Sequence, residues 1–84
     1  MYYTYIIQND TNRRFYIGST NDLVRRIQEH NRGHTKSTRN KGLWKLIYNE
    51  EFETSIEAKR RELKIKSYKG GNEFKKMIAD VVQR

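Results

Sequence analysis

The chain has 84 residues, which is enough for one small domain with a modest core and excludes a second domain of similar size. It contains no cysteine, so disulfide bonds and thiolate metal sites are excluded. Eighteen lysines and arginines against ten acidic residues give a formal net charge of +8, which favours a polyanionic partner. Nucleic acid is the commonest partner of that kind, and the alternative is a basic surface that only keeps the protein soluble.

The basic charge is unevenly distributed along the chain. Between Val24 and Lys45 there are seven basic residues and only one acidic residue, Glu29, whereas acidic residues cluster in residues 49–53. This asymmetry predicts a binding face. No apolar run is long enough to cross a membrane, and residues 1–10 show no signal-peptide pattern, so we expect a soluble protein in the cytoplasm.

The first predicted elements are two strands joined by a turn. Residues 2–7 are β-branched and aromatic, and residues 13–18 have a similar character. The segment between them is rich in asparagine and aspartate, which favours a tight turn, so the strands are expected to form an antiparallel hairpin. Gly18 is expected to end the second strand.

A helix is predicted over residues 21–32. Its candidate N-caps are the polar residues that directly follow the glycine, Ser19, Thr20 and Asn21. Its apolar stripe is predicted from three residues, Leu23, Val24 and Ile27.

The second half of the chain predicts a basic loop at residues 34–42 and a third strand at residues 43–52. A capping-box pattern, Thr54 with Glu57, opens a helix that runs to about Ser67. The last helix, residues 72–83, has apolar residues at helical spacing, which is typical of core packing: Phe74, Met77, Ile78, Val81 and Val82.

The predicted fold class is α+β, an α/β mixture in the order β-β-α-β-α-α. The small, mostly antiparallel three-stranded sheet is expected to be flanked by the helices. We expect residues 1–84 to form a single domain.

Four segments of this sequence together resemble the motifs of the GIY-YIG nucleases. They are Tyr-Thr-Tyr at 3–5 in place of the family's Gly-Ile-Tyr, Tyr-Ile-Gly at 16–18, LVRRIQEHN at 23–31 and EAKRRELKIK at 57–66. The family includes the N-terminal domain of an excision-repair nuclease, some homing endonucleases and small stand-alone proteins. The resemblance implies a metal-dependent endonuclease that hydrolyses DNA phosphodiester bonds in repair, recombination or mobile-element processing.

Tyr16 is implied to activate the attacking water, either as a general base or by orienting it. A phenol ordinarily has a pKa of about 10, so it acts as a base at neutral pH only where positive charge favours the phenolate. Arg26, His30 and a bound metal are the expected sources of that charge. The alternative is a half-buried strand tyrosine whose hydroxyl is simply hydrogen-bonded.

Two further residues of the hairpin are implied to belong to the same site. By resemblance, the Tyr5 hydroxyl contacts the phosphate or positions Tyr16, and the alternative is a cross-strand aromatic pair. Gly18 would let the backbone turn sharply and approach the substrate closely, and the alternative is a strand end.

Arg26 matches the family's arginine by its spacing from the second motif. A guanidinium can donate two parallel hydrogen bonds to a phosphate and offset charge that develops in the transition state. The adjacent Arg25 is a candidate DNA contact, and its alternative is a surface ion pair with Glu29. His30 lies one turn beyond Arg26 and could hydrogen-bond Tyr16 or a phosphate oxygen, although a lone helix histidine is usually structural.

Glu62 matches the glutamate with which the family binds its single metal ion. One carboxylate can anchor Mg²⁺ or Mn²⁺ whose other ligands are waters and the substrate phosphate. The alternative is a helix-surface ion pair with Lys59 or Lys66.

The basic loop is predicted to contact the DNA backbone through Lys36, Arg39 and Lys41. Such contacts give affinity and salt dependence rather than sequence choice, and the alternative is a solvated loop. Trp44 is expected in the core. The resemblance covers residues 2–66, so we expect the catalytic domain to act alone or with a protein partner that supplies target choice.

The residues leave three other classes of function open. A nucleic-acid-binding module without catalysis would bind in a salt-sensitive way and would not cleave. A basic RNA-associated protein would prefer RNA to DNA. A purely structural domain would bind neither at moderate salt.

Overall fold

The first strand, β1 (Tyr2–Asn9), is the centre of a three-stranded sheet in the computed structural model, which describes residues 1–32 and 43–82. Residues 4–7 of this strand are all buried, as in a strand whose two faces are both covered. Two antiparallel neighbours, β2 (Phe15–Thr20) and β3 (Trp44–Phe52), give the order β2-β1-β3. The strand pairing confirms the predicted hairpin and the antiparallel sheet.

Helices cover both faces of the sheet. The helix α1 (Leu23–Asn31) packs on one face, where the core contains Tyr5, Ile7 and Trp44. The helices α2 (Ser55–Ser67) and α3 (Asn72–Val82) pack on the opposite face. The buried residues of that second core are Ile6, Ile47, Ile65 and Phe74. The observed order confirms the predicted α+β fold, β-β-α-β-α-α.

The hairpin turn lies two residues later than predicted, at residues 10–14 instead of 8–12. The side-chain oxygen of Asn9 accepts hydrogen bonds from the amides of Thr11 and Asn12. Arg13 has a left-handed backbone with φ of 63°, so it belongs to the turn rather than to the strand. The strand therefore begins at Phe15, two residues later than expected, and continues past Gly18 to Thr20.

The start of α1 also differs from the prediction. Its N-cap is Asp22, whose side chain accepts a hydrogen bond from the Arg25 amide at 3.1 Å, so none of the three predicted caps is used. Leu23 and Ile27 pack on the core, but Val24 is 69% exposed, so its place in the apolar stripe was wrong. At α2 the prediction is confirmed, because the Thr54 hydroxyl accepts a hydrogen bond from the Glu57 amide.

The packing of α3 confirms its predicted amphipathic pattern at Phe74, Met77 and Ile78. The side chains of Val81 and Val82 lie outside the described part of the chain, as does residue 83. Trp44 is 5% exposed and therefore a core residue, as expected. Over residues 1–32 and 43–82, no helix has the length and apolar character needed to cross a membrane.

Candidate active site

A chain of hydrogen bonds joins Arg26, Tyr5 and His30 on the α1 face of the sheet. The Arg26 Nε–H donates to the Tyr5 hydroxyl at 3.3 Å, and that hydroxyl lies 2.9 Å from His30 Nε2. Tyr5 and His30 are each 1% exposed. Because a guanidinium only donates, the Tyr5 oxygen accepts from Arg26, and a second hydrogen bond joins the same hydroxyl to His30 Nε2.

The chain of hydrogen bonds is built from neutral groups apart from Arg26. Burial lowers the pKa of His30 to about 4, and the nearby Arg26 charge acts in the same direction. Burial raises the pKa of Tyr5 to about 12, although its hydrogen bond with Arg26 acts against the rise. The expectation that His30 supplies positive charge to the site is therefore wrong at neutral pH, because the imidazole is uncharged there.

Gly18 has a different role from the predicted backbone turn. It lies inside β2, directly opposite Tyr5 of β1. A Cβ at this position would lie 2.5 Å from the Tyr5 hydroxyl oxygen and 2.7 Å from the ring carbon that carries it. The glycine is therefore required because the Tyr5 side chain crosses over it, and not because the chain must turn.

The ring of Tyr16 contacts the same cluster. Its centroid lies 4.6 Å from that of His30, edge to face, and 6.4 Å from that of Tyr5. The Tyr5–Tyr16 ring pair that was the structural alternative is thus present, as a diagonal pair across the two strands. Tyr16 is half-buried, and within residues 1–32 and 43–82 its hydroxyl makes no hydrogen bond. The hydroxyl is available to a ligand.

Arg26 is held at two points and still reaches solvent. Its Nη1 lies 3.1 Å from a carboxylate oxygen of Glu29, and 31% of the side chain is exposed. The hydrogen bond with Tyr5 raises the pKa of Arg26 above its ordinary value, so the guanidinium is charged at neutral pH. The predicted pairing of Glu29 with Arg25 is wrong, since Arg25 is exposed and donates to the Asn21 side chain instead.

Glu62 presents a buried carboxylate from α2. The residue is 3% exposed and accepts hydrogen bonds from Ser19 at 2.8 Å, Lys59 at 3.3 Å and Lys66 at 2.5 Å. Burial by itself raises the pKa of this carboxyl, but the hydrogen bonds from Lys66, Ser19 and Lys59 outweigh it and the net pKa is lowered. The ion pair that was the structural alternative for Glu62 is therefore present with both lysines.

The sheet separates Glu62 from the other four candidates. Tyr5, Tyr16, Arg26 and His30 lie on the α1 face, whereas Ser19 shares the α2 face with Ile17 because side chains alternate along a strand. In the described part of the chain, no hydrogen bond or ion pair joins Glu62 to those four. The two groups adjoin through the edge strand β2, where Gly18 contacts Tyr5 and the next residue contacts Glu62.

Ser19 was missed as a site residue by the sequence argument. It was considered only as a helix cap, yet its hydroxyl holds the carboxylate of Glu62. The signal was the two-residue period of the strand, which places Ser19 beside Ile17 on the inner face once β2 extends to Thr20. The three predicted loop contacts, Lys36, Arg39 and Lys41, lie outside the described residues.

The donor set at Glu62 fits a divalent ion that takes one ligand from the protein. The carboxylate already attracts two ammonium groups, so cations are favoured at this position. Mg²⁺ commonly takes one or two carboxylates and completes its shell with water and phosphate oxygens. Within residues 1–32 and 43–82, no group of three or more histidine, cysteine, aspartate or glutamate side chains could hold an ion alone.

Comparison with protein families agrees with this arrangement. Residues 1–75 match the family model of the GIY-YIG catalytic domain. The chain belongs to the GIY-YIG family. Since this is a nuclease family, the protein carries a nuclease-type catalytic domain.

The relatives of the chain are UPF0213 proteins. It is 45% identical to one from Clostridium perfringens, over 79% of this chain and 71% of the relative. It is 40% identical to one from Haloquadratum walsbyi, over 80% of this chain and 75% of the relative. A solved structure, that of a UPF0213 protein from Bacillus halodurans, is 35% identical with a TM-score of 0.48 and covers 80% of this chain and 72% of its own.

Proposed function

We propose that the protein is a metal-dependent endonuclease that hydrolyses DNA phosphodiester bonds. The observation that carries the proposal is the convergence of Tyr5, Tyr16, Arg26 and His30 from two strands and one helix. Hydrolysis adds a water oxygen to phosphorus, breaks one bond from phosphorus to a sugar oxygen, and returns a proton to that oxygen. The reaction needs a group that orients the attacking water or exchanges a proton with it, and a cationic group that binds the phosphate.

Arg26 is the proposed phosphate-binding group. Its Nε and Nη1 are fixed by Tyr5 and Glu29, which orients the guanidinium plane before substrate arrives. Nη2 makes no hydrogen bond to a described residue, and 31% of the side chain is exposed, so this nitrogen can donate to a phosphate oxygen. A preoriented donor of this kind stabilises charge that builds up in the transition state more than in the ground state.

Tyr16 is the proposed water-positioning group. Its hydroxyl has no hydrogen bond to another described residue, and its ring is held against His30 and Tyr5. A fixed ring with an available hydroxyl can orient a water molecule for attack or exchange a proton with it.

Tyr5 and His30 act as positioning residues rather than as substrate contacts. Both are nearly inaccessible, and each uses its polar atom to hold a neighbour. The hydrogen bond with His30 Nε2 fixes the Tyr5 hydroxyl, whose oxygen accepts from Arg26. Loss of either side chain is expected to loosen the guanidinium.

Glu62 is the proposed ligand of Mg²⁺ or Mn²⁺. When bound, the ion would supply Lewis-acid stabilisation of negative charge on the phosphate. Ser19 holds one carboxylate oxygen and thereby fixes the ligand within the fold. Arg25 and the loop residues Lys36, Arg39 and Lys41 are proposed to contact the DNA backbone, and a protein partner to supply target choice.

The test is cleavage of plasmid and of branched or flapped DNA with Mg²⁺ or Mn²⁺. We expect the wild type to cut, Glu62→Ala to lose cutting, and Arg26→Ala to lose about 100-fold or more in rate. The matched control is Arg60→Ala, which removes an exposed guanidinium of α2 and is expected to keep the wild-type rate within about twofold.

Binding and cutting by the folded wild type, compared with cutting by the two site variants, distinguish the alternative functions. A wild type that binds DNA in a salt-sensitive way without cutting would favour the non-catalytic binding module. Preferential binding or cutting of RNA would favour the RNA-associated class. Cutting that survives both Glu62→Ala and Arg26→Ala would show that the site is wrongly assigned.

A further inference from the structure

The carboxylate of Glu62 is occupied by two lysines of its own helix. Lys66 Nζ lies 2.5 Å from Oε2, and Lys59 Nζ lies 3.3 Å from each oxygen. The acid and the bases differ sharply in exposure, since 4% of the Glu62 side chain is exposed against 58% for Lys59 and 49% for Lys66. The carboxylate is fixed inside the fold, while both ammonium groups reach it from the solvent side.

This difference in exposure makes the lysines the movable partners. An exposed lysine has many rotamers and a strongly hydrated ammonium group, so it leaves a carboxylate at little cost. A buried carboxylate without any cation is expensive in a medium of low dielectric constant. A divalent ion carries twice the charge of an ammonium group and competes for the same two oxygens of Glu62.

We propose that Lys59 and Lys66 set the divalent-cation affinity of Glu62, by occupying its carboxylate in the cation-free protein and releasing it when the ion binds. The inference rests on the proposed function, which gives Glu62 its ion. It adds that the charge of Glu62 is balanced in both states, so the fold does not depend on the ion. The released ammonium groups join the basic surface, and ion uptake and DNA binding therefore favour each other.

The test measures binding of Mn²⁺ alone to the full chain, without nucleic acid, from the electron paramagnetic resonance signal of the free ion at neutral pH. Lys59→Ala is expected to bind Mn²⁺ about threefold more tightly than the wild type. Lys66→Ala is expected to bind about tenfold more tightly, since it removes a charged hydrogen bond to a buried acid. Lys66→Arg keeps the competing charge and is expected to stay near the wild type.

The matched control is Lys64→Ala, which removes the same charge from the same helix but from a side chain with no contact to Glu62 among the described residues. Its Mn²⁺ affinity is expected to change by less than about twofold, because salt screens the charge of an exposed lysine that does not contact Glu62. A gain equal to that of Lys66→Ala would mean that overall charge, and not the occupied carboxylate, sets the affinity.

Two results would overturn the proposal. Equal Mn²⁺ affinity in the wild type and all lysine variants would show that the lysines do not compete with the ion. Weaker Mn²⁺ binding by Lys66→Ala would show that Lys66 favours ion binding instead of opposing it. Binding that survives Glu62→Gln, or no binding by any variant, would instead remove the ion from Glu62 and with it the metal part of the proposed function. If circular dichroism shows Lys66→Ala to be unfolded, Lys59→Ala decides the question by itself.

Discussion

Gly18→Ala provides the sharpest test of how the site is built. The added Cβ would lie 2.5 Å from the Tyr5 hydroxyl oxygen and 2.7 Å from the ring carbon Cζ. Tyr5 has no room to yield, because it is 1% exposed and its hydroxyl is fixed by Arg26 at 3.3 Å and His30 at 2.9 Å. The substitution must therefore push the ring away and break at least one of these hydrogen bonds.

The expected loss of stability follows from these two effects. Overpacking in a well-packed core costs about 1–3 kcal/mol. Loss of one hydrogen bond adds about 0.5–1.5 kcal/mol. Together they predict that Gly18→Ala lowers the free energy of unfolding by about 1.5–4.5 kcal/mol, a large share of the 5–15 kcal/mol typical of a small domain.

The assay is urea unfolding followed by circular dichroism, with Gly71→Ala as the matched control. At Gly71 the nearest atom to an added Cβ is the Tyr68 carbonyl oxygen at 3.1 Å, so we expect a loss below about 1 kcal/mol. Tyr5→Phe should not relieve Gly18→Ala, because Cζ remains at 2.7 Å, whereas Tyr5→Leu should relieve part of it. A Gly18→Ala protein within about 0.5 kcal/mol of the wild type would refute the argument.

The remaining predictions concern His30 and Asn31. Since burial lowers the pKa of His30 from 6.5 to about 4, the unfolded chain binds more protons between these values. The contribution of neutral His30 to the free energy of unfolding is therefore complete above pH 6.5 and falls by up to about 3 kcal/mol as the pH drops towards 4. NMR titration of His30 in the folded protein measures its pKa, and a midpoint near 6.5 would contradict this account. The Trp44 amide donates to the side-chain oxygen of Asn31 at 2.6 Å, and the side-chain nitrogen of Asn31 donates to the Trp44 carbonyl at 3.2 Å. Asn31→Ala is therefore expected to lower the free energy of unfolding by about 1–3 kcal/mol and to change Trp44 fluorescence. Unfolding midpoints equal to the wild type would show that α1 does not need this bridge.

The sequence by itself determined the elements whose signals are local. The helical spacing of Phe74, Met77 and Ile78 predicted α3, because a 3.6-residue period aligns these residues on one face whatever they pack against. The capping pattern at Thr54 fixed the start of α2, because a hydroxyl three residues before a glutamate satisfies free amides locally. The residues of the nuclease motifs were also readable, since they are a matter of residue type and spacing.

The tertiary structure decided every feature that depends on which residue faces which across the sheet. The pairing of Gly18 with Tyr5 converted an apparent strand end into a site where a side chain crosses the backbone. Burial, which no local pattern measures, lowers the pKa of His30 and keeps the imidazole uncharged near neutral pH. The contact between Ser19 and Glu62 joins residues far apart in the chain, on strand and helix. The period of the sequence specifies the face of a strand or helix on which a side chain lies. Which side chains it contacts, and how far it is removed from water, depend on how these faces pack together in the fold.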